Sequence, residues 1–455
     1  MRIARLIAAG AAVVTVGAGL VACAPGGGSD GACTLEILGR DRVNAEEEAA
    51  WDAVFADFEE EFDCSVDATW KGTFTEVAAN LNASRLAGEQ VDLVTTATNN
   101  YAMAQAGLLM DLTDVVAPFE DRLSAQGVSD FSLGDHLWSM PFGDQSYSVF
   151  FYDKTLFDSL DLTAPTSYDE LVDVAAAISA TGVTPIVQGG SDTWAWPMWL
   201  MATIGQTTGN ESVPVLQDVL SGDGSFTDDV WVDALADIKR FADDGLIDSD
   251  ALDTDSTGAV AAIAQGQAAM TYNGSWTLRS LRDLELPTEF GMFLFPLMDS
   301  ASDATSVSSG VTEDGIAMTS FIDPANVPMA AQFLEFLTRP ENAQRIMDPQ
   351  SMLSPSVAGV TPIEDPLAEQ VAAEIVPATV TWLDWVWPNE VNDAVIQAVQ
   401  SMLFTDQSPE EAAASMQAAL DTLVTQNEYS YDWWNTWTDD QWASVTPTVP
   451  EIVVG

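Results

Sequence analysis

The 455-residue chain holds fifteen tryptophans, and several stand at the ends of apolar strand-like runs, outside any helical or alternating pattern. Trp276 follows Ala268-Ala269-Met270-Thr271-Tyr272; Trp194 and Trp196, with Asp192, follow Thr184-Pro185-Ile186-Val187; Trp382, Trp385 and Trp387 surround a turn at Pro388. Indoles in such places suit one chemistry well. Their flat faces stack on the apolar C–H faces of pyranose rings, while carboxylates, amides and an occasional Arg bridge the hydroxyls. Acids also support a second chemistry, since two carboxylates suffice for glycoside hydrolysis. Seventy acidic residues, however, make chance pairs almost inevitable. The one histidine, His136, has no Cys or second His beside it to build a zinc site or a nucleophilic triad. There is no phosphate-cradling Gly-x-x-x-x-Gly-Lys loop and no dinucleotide fingerprint.

These residues need elements to hold them, and the segment Gly266 to Leu278 is the clearest. Gly266 fits a turn into the strand 268–272, Asn273-Gly274 supplies a turn that tolerates positive φ, and Ser275 is placed to cap a helix starting at Trp276. The indole then sits at the carboxyl end of a strand, where open α/β sheets bind ligands. A core tryptophan under the loop is the plain alternative. From Cys33 to about Gly143, strands at 34–38, 65–70 and 91–96 alternate with helices near 46–62 and 73–87, with Trp51, Val54, Phe55 and Phe58 at helical spacing. Such alternation implies a parallel sheet covered on both faces. Trp196 and Trp199, three apart before a helix, read more readily as core.

Residues 1–5 are a short basic stretch and Leu6 to Leu20 an uncharged apolar run, shorter than the roughly 20 residues of a membrane span and flanked as an export signal is. It ends in Leu20-Val21-Ala22-Cys23, which resembles the bacterial lipobox and implies a signal peptide over 1–22 and a lipid on Cys23. Residues 23–32 have the composition of a flexible tether. The remaining cysteines, Cys33 and Cys64, each begin a predicted strand. If those strands are neighbours a disulfide is reasonable; two free buried thiols are the alternative. With 47% hydrophobic residues the chain can bury large cores, and its net charge of −56 argues against binding nucleic acid or an anionic bilayer through charge.

Several stretches resemble the sugar-binding proteins of bacterial ABC importers, the maltose-binding type. They are the small-residue strand ending in Asn273-Gly274-Ser275-Trp276; Ala106-Gly107-Leu108-Leu109-Met110-Asp111-Leu112-Thr113; Pro141 through Tyr152-Asp153-Lys154; and the helix 328–337 running into Thr338-Arg339-Pro340-Glu341. Asp153 stands where Asn is usual, Thr95 where the family often has an aromatic residue, and Gln145 and Ser146 near a usual acid.

The resemblance implies an α/β fold of two lobes, type II among periplasmic-binding-protein-like folds, each a sheet flanked by helices. It places lobe 1 at 33–143 and 297–347 and lobe 2 at 144–296 and 348–455, with crossings near 141–147, 291–298 and 346–355. It further implies Trp276 as the main sugar platform, Asp192 and Trp194 as second-lobe contacts, and Trp385 or Trp387 as a further platform. First-lobe candidates are Arg40, Asp41, Trp70 and Asn99, with Gln145 from the crossing. The function implied is capture of a sugar or oligosaccharide, without catalysis or cofactor, by a lipid-anchored monomer on the outer face of the membrane that delivers it to permease subunits. A non-sugar solute, or a secreted glycoside hydrolase, are the competing readings. The aromatic stretch 429–442 reads equally as a packing extension or a surface feature.

Overall fold

A computed structural model describes residues 33–455 apart from 43–44, 98–99, 248, 284–288, 303–307, 349–352, 427–429 and 449–450. The expected signal peptide and tether, Cys23 and Asn99 therefore lie outside the described residues. Within them the strands are β1 (Cys33–Gly39), β2 (Cys64–Trp70), β3 (Leu93–Thr96), β4 (Ser132–Leu133), β5 (His136–Leu137), β6 (Met140–Pro141), β7 (Gln145–Asp153), β8 (Thr184–Ile186), β9 (Ala268–Gly274), β10 (Phe290–Phe293), β11 (Ser308–Thr312), β12 (Gly315–Met318) and β13 (Thr379–Thr381).

Two sheets organise the chain. The first has the order β2-β1-β3-β12-β6, and the second β13-β11-β7-β9-β8 with β10 also on β7. β1 pairs in parallel with β2 and β3, as the βαβ alternation requires, and β12 closes the sheet antiparallel to β3. The register sets Cys33 opposite Cys64, and their sulfurs are bonded. Trp51, Val54, Phe55 and Phe58 form the buried face of the helix Ala45–Phe62. Around the second sheet, the helices Ala195–Thr207, Asp229–Asp243, Asn389–Phe404 and Pro409–Thr425 pack on one another. Ala195–Thr207 is buried on every side, and Trp196 and Trp199 are both core. Ser408 and Glu411 form a capping box ahead of Pro409. Asp153 accepts the Leu156 N–H at 2.8 Å and caps the next helix, a task that Asn and Asp share.

The chain passes between sheets at residues 142–144, where β6 ends in the first sheet and β7 begins the second. Beside it runs 353–357: Asp144 accepts the Leu353 and Ser354 N–H groups at 3.0 and 2.6 Å, and Gln145 donates its backbone N–H to Ser354 at 2.8 Å.

The return expected near 291–298 is not there. Phe290–Phe293 still pairs with β7, as does β11, and the return falls at Glu313-Asp314 between β11 and β12. An apolar run announces a buried strand but not its sheet; β10 and β11 lie on the same side of β7, one after the other.

The chain end differs too. Trp433 and Val445 are buried with Trp138, Leu38 and Val94 of the first sheet's core, and Val445 accepts the Asp111 N–H at 2.8 Å. The last residues continue along that side, with Gln332 and Glu335 accepting from Val453 and Gly455 N–H at 2.9 Å each. The aromatic stretch is thus a packing extension on the first sheet, although the preceding helix Pro409–Thr425 packs on the second sheet's helices.

Candidate functional site

At Gly274 the strand β9 ends beneath an indole. The local geometry differs from a positive-φ turn: β9 continues through Gly274, whose φ is not positive. What requires glycine is space, since a Cβ there would overlap the six-membered ring of Trp276. Ser275 likewise does not cap; it is tied to β7, its hydroxyl accepting the Tyr147 N–H at 3.1 Å and its own N–H bonding the Tyr147 carbonyl at 2.8 Å. The helix starts one residue later, at Thr277. Trp276 is consequently pressed back over the strand end and fixed there.

Two further indoles set its surroundings. Trp194, just before the helix Ala195–Thr207, meets the Trp276 ring edge to face at 5.5 Å, and Trp382, just after β13, does so at 5.8 Å. Trp382 Nε1 donates to Ser148 and Ser309 hydroxyls at 3.2 and 3.1 Å, which locks that ring against β7 and β11. Trp194 remains 40% exposed, and Trp276 is half-buried. Together with Trp385 and Met198 they line a cavity of about 410 Å³. Its other wall carries Arg40, Ala97, Glu313 and Asp314, and Asp384 joins it from between Trp382 and Trp385. Strand ends from both sheets therefore meet at one concave aromatic surface.

The polar side of the cavity is acidic. Arg40 forks onto Asp314, Nε to Oδ1 at 3.3 Å and Nη2 to Oδ2 at 2.7 Å, joining the end of β1 to the crossing before β12. Burial alone would depress this guanidinium, but Asp314 and Glu47 hold it firmly charged. Burial, reinforced by Asp314, pushes the Glu313 carboxyl up to about 8, and burial pushes Asp384 up to about 7. Asp144, behind the crossing, is raised by burial to about 7 against three backbone hydrogen bonds.

Of the residues expected in the site, Trp276, Trp194, Trp385 and Arg40 line this cavity. Trp387 lines an adjoining cavity of about 220 Å³ that shares Trp385 and includes Tyr101, Tyr431 and Trp433. Among the described residues, the others are not part of this lining. Trp70 has Arg42 over one ring at 3.8 Å and Phe55 stacked at 6.2 Å, so its faces are taken. Asp41 is exposed and holds Gly72 through its backbone N–H at 2.9 Å. Asp192 accepts the Ser256 N–H at 2.8 Å, fastening its loop to the start of the helix Ser256–Ala264. Gln145 is buried among Ser124, Tyr147 and Ser354 at the crossing.

Glu313, Asp314 and Asp384 also line the cavity though the sequence singles out none of them, and Trp382 lines it though the resemblance implies only Trp385 or Trp387 there. The signal for Trp382 and Asp384 was their place beside Trp385. Glu313 and Asp314 became legible only once the second return was located between β11 and β12.

Two α/β lobes with an aromatic cavity built from strand ends of both define a two-lobe solute-binding protein. Residues 53–375 match the family described as bacterial extracellular solute-binding protein, and the chain belongs to that family. It is 23% identical over 327 residues to the multiple sugar-binding protein of Streptococcus mutans, covering 70% of this chain and 75% of that one. Among solved structures, a chitin oligosaccharide binding protein superposes with a TM-score of 0.73 at 22% identity, covering 86% of this chain and 98% of that chain. A solute-binding protein solved with raffinose gives 0.66 at 20% identity, covering 86% and 99%.

Proposed function

We propose that the chain captures a sugar or oligosaccharide between its lobes for delivery to an ABC importer. The observation that carries this reading is the cavity of Trp194, Trp276, Trp382 and Trp385 at the junction of the two sheets. Edge-to-face contacts hold the indoles at steep mutual angles, 63° and 85°, so their faces offer several planes for sugar rings, with carboxyls alongside for hydroxyls. Relatives named as multiple-sugar and chitin-oligosaccharide binders support the same class.

In this reading the protein is exported by residues 1–22, anchored outside the cell by a lipid on Cys23, spaced by 23–32, and works as a monomer. Lobe 1 comprises residues 33–142, 314–347 and 433–455 around the first sheet, and lobe 2 comprises 144–313 and 366–425 around the second. A ligand touching both lobes shifts the population toward a closed form, which the permease would recognise. No catalysis is part of it.

The test is intrinsic tryptophan fluorescence of residues 33–455 titrated with mono- and oligosaccharides, with product analysis after long incubation. Saturable change at micromolar sugar and no cleavage supports the reading. A response confined to amino acids or anions discards the sugar, and turnover abolished by replacing one cavity carboxyl discards the assignment as a binding protein.

A further inference from the structure

The cavity holds more carboxyls than cations. Its lining holds three carboxyls, Glu313, Asp314 and Asp384, and one guanidinium, Arg40. Arg40 is engaged by Asp314 through two hydrogen bonds and lies 3.9 Å from Glu47. The next cation, Arg42, pairs with Glu47 at 3.1 Å and covers Trp70. Among the described residues, Glu313 and Asp384 have no ion-pair partner. Asp384 Oδ1 is buried with no hydrogen-bond partner, beside the indoles of Trp382 and Trp385. The groups facing Glu313 are Asp314, Asp144, Arg40 and the Ser146 hydroxyl, so the acids outnumber the base.

A neutral sugar would meet these carboxyls through hydrogen bonds alone and bring no charge to balance an ionised one. An ammonium group answers both needs. It offers three N–H donors to the unpartnered carboxyl oxygen, and its charge is attracted to indole faces within about 6 Å of the ring centroid. Burial raises both carboxyls, and a cation beside them favours their ionised forms. The acidic field of the whole protein, with a net charge of −56, favours approach of a cation.

We propose that this cavity selects an oligosaccharide carrying protonated amines, an amino-sugar oligomer, with Asp384 and Glu313 as its counter-charges. The proposal rests on the sugar-binding reading above and narrows it.

The experiment is isothermal titration of residues 33–455 with three tetramers: fully deacetylated glucosamine, its N-acetylated form, and neutral glucose, in buffers of differing ionisation enthalpy. The glucosamine tetramer is expected to bind at least about 30-fold more tightly than either, the equivalent of the ~2 kcal/mol lower range for truncating a buried charge pair. Its binding should release protons and weaken with salt. Asp384→Asn and Glu313→Gln should each remove most of that preference, read as the ratio of the glucosamine to the glucose tetramer's affinity for the same variant. Asp384→Asn removes no hydrogen bond that Oδ1 makes, so it keeps the test open if Glu313→Gln is poorly folded. Equal or tighter binding of the acetylated or neutral tetramer by wild type overturns the proposal and leaves the sugar reading standing. No binding of any of the three tetramers by a folded protein overturns the proposal, and the wider saccharide titration above then decides the sugar reading.

Discussion

At the scale of single residues, the site depends on how Trp276 is held. Gly274 gives the ring its seat, and Ser275 fixes the backbone to β7. Replacing Gly274 by Val should therefore lower sugar affinity by tenfold or more through a displaced indole, with the fold retained. Titration calorimetry with a parallel melting curve checks this; unchanged affinity would mean that the ring position is unimportant. Trp276→Ala should lose binding to a similar or greater extent, since sugar stacking is lost outright.

The residue type and location of Trp276, Trp194 and Trp385 were legible in the sequence, because a bulky aromatic at a strand's end stands out from periodic apolar burial. The reason for Gly274 was not: Asn-Gly reads locally as a turn, while the actual constraint is a ring folded back from two residues on. Trp70 and Asp192, at strand ends, and Gln145, at the crossing, are also implied as site residues, and each side chain is engaged by nearby backbone, aromatic rings or hydroxyls. Strand-end position fixes where a residue is, not which neighbour claims its side chain.

At the scale of elements, the periodic segments were readable to within a residue or two. The helix 45–62, the βαβ alternation and the capped helix at Pro409 all follow local rules. Sheet membership did not. β10 is apolar and β11 is Ser-Ser-Gly-Val-Thr, their common partner β7 lies far away in sequence, and nothing local distinguishes staying from returning.

Two predictions belong here. The Cys33–Cys64 bond joins neighbouring parallel strands across 31 positions; in the chain-entropy account its reduction should destabilise the protein by about 3 to 4 kcal/mol. Urea unfolding with and without reductant measures it, and coincident curves would show that the bond adds nothing. Trp433 is only 7% exposed against the first sheet's core, so Trp433→Ala should cost about 3 to 5 kcal/mol. A loss below 1 kcal/mol by urea unfolding would show that the aromatic extension is merely laid on the surface.

At the scale of the whole molecule, charge and closure come together. Burial first, and neighbouring acids second for Glu313, raises Asp130, Asp144 and Asp384 to about 7 and Glu313 to about 8. Carboxyls raised above their unfolded range contribute stability that is fully present below that range and lost as pH rises through the folded values. The melting temperature should therefore climb as pH falls from about 8 to about 5, before acids of ordinary or depressed pKa begin to be protonated. Relief of self-repulsion in a chain of net charge −56 acts in the same direction, so the specific contribution is read from Asp144→Asn. Its melting temperature should vary less with pH than that of wild type, and an identical slope would count against the buried carboxyl as the cause.

Closure makes the central claim physical, because a ligand that touches strand ends of both sheets favours the form in which both reach it. The most direct measurement is a crystal structure of residues 33–455 grown with an oligosaccharide that binds in solution. The account predicts a sugar ring stacked on Trp276, between Trp194 and Trp382, with Asp384 or Glu313 within hydrogen-bond distance. A sugar bound elsewhere with this cavity empty, or an occupant of the cavity with no stacking ring, would contradict it.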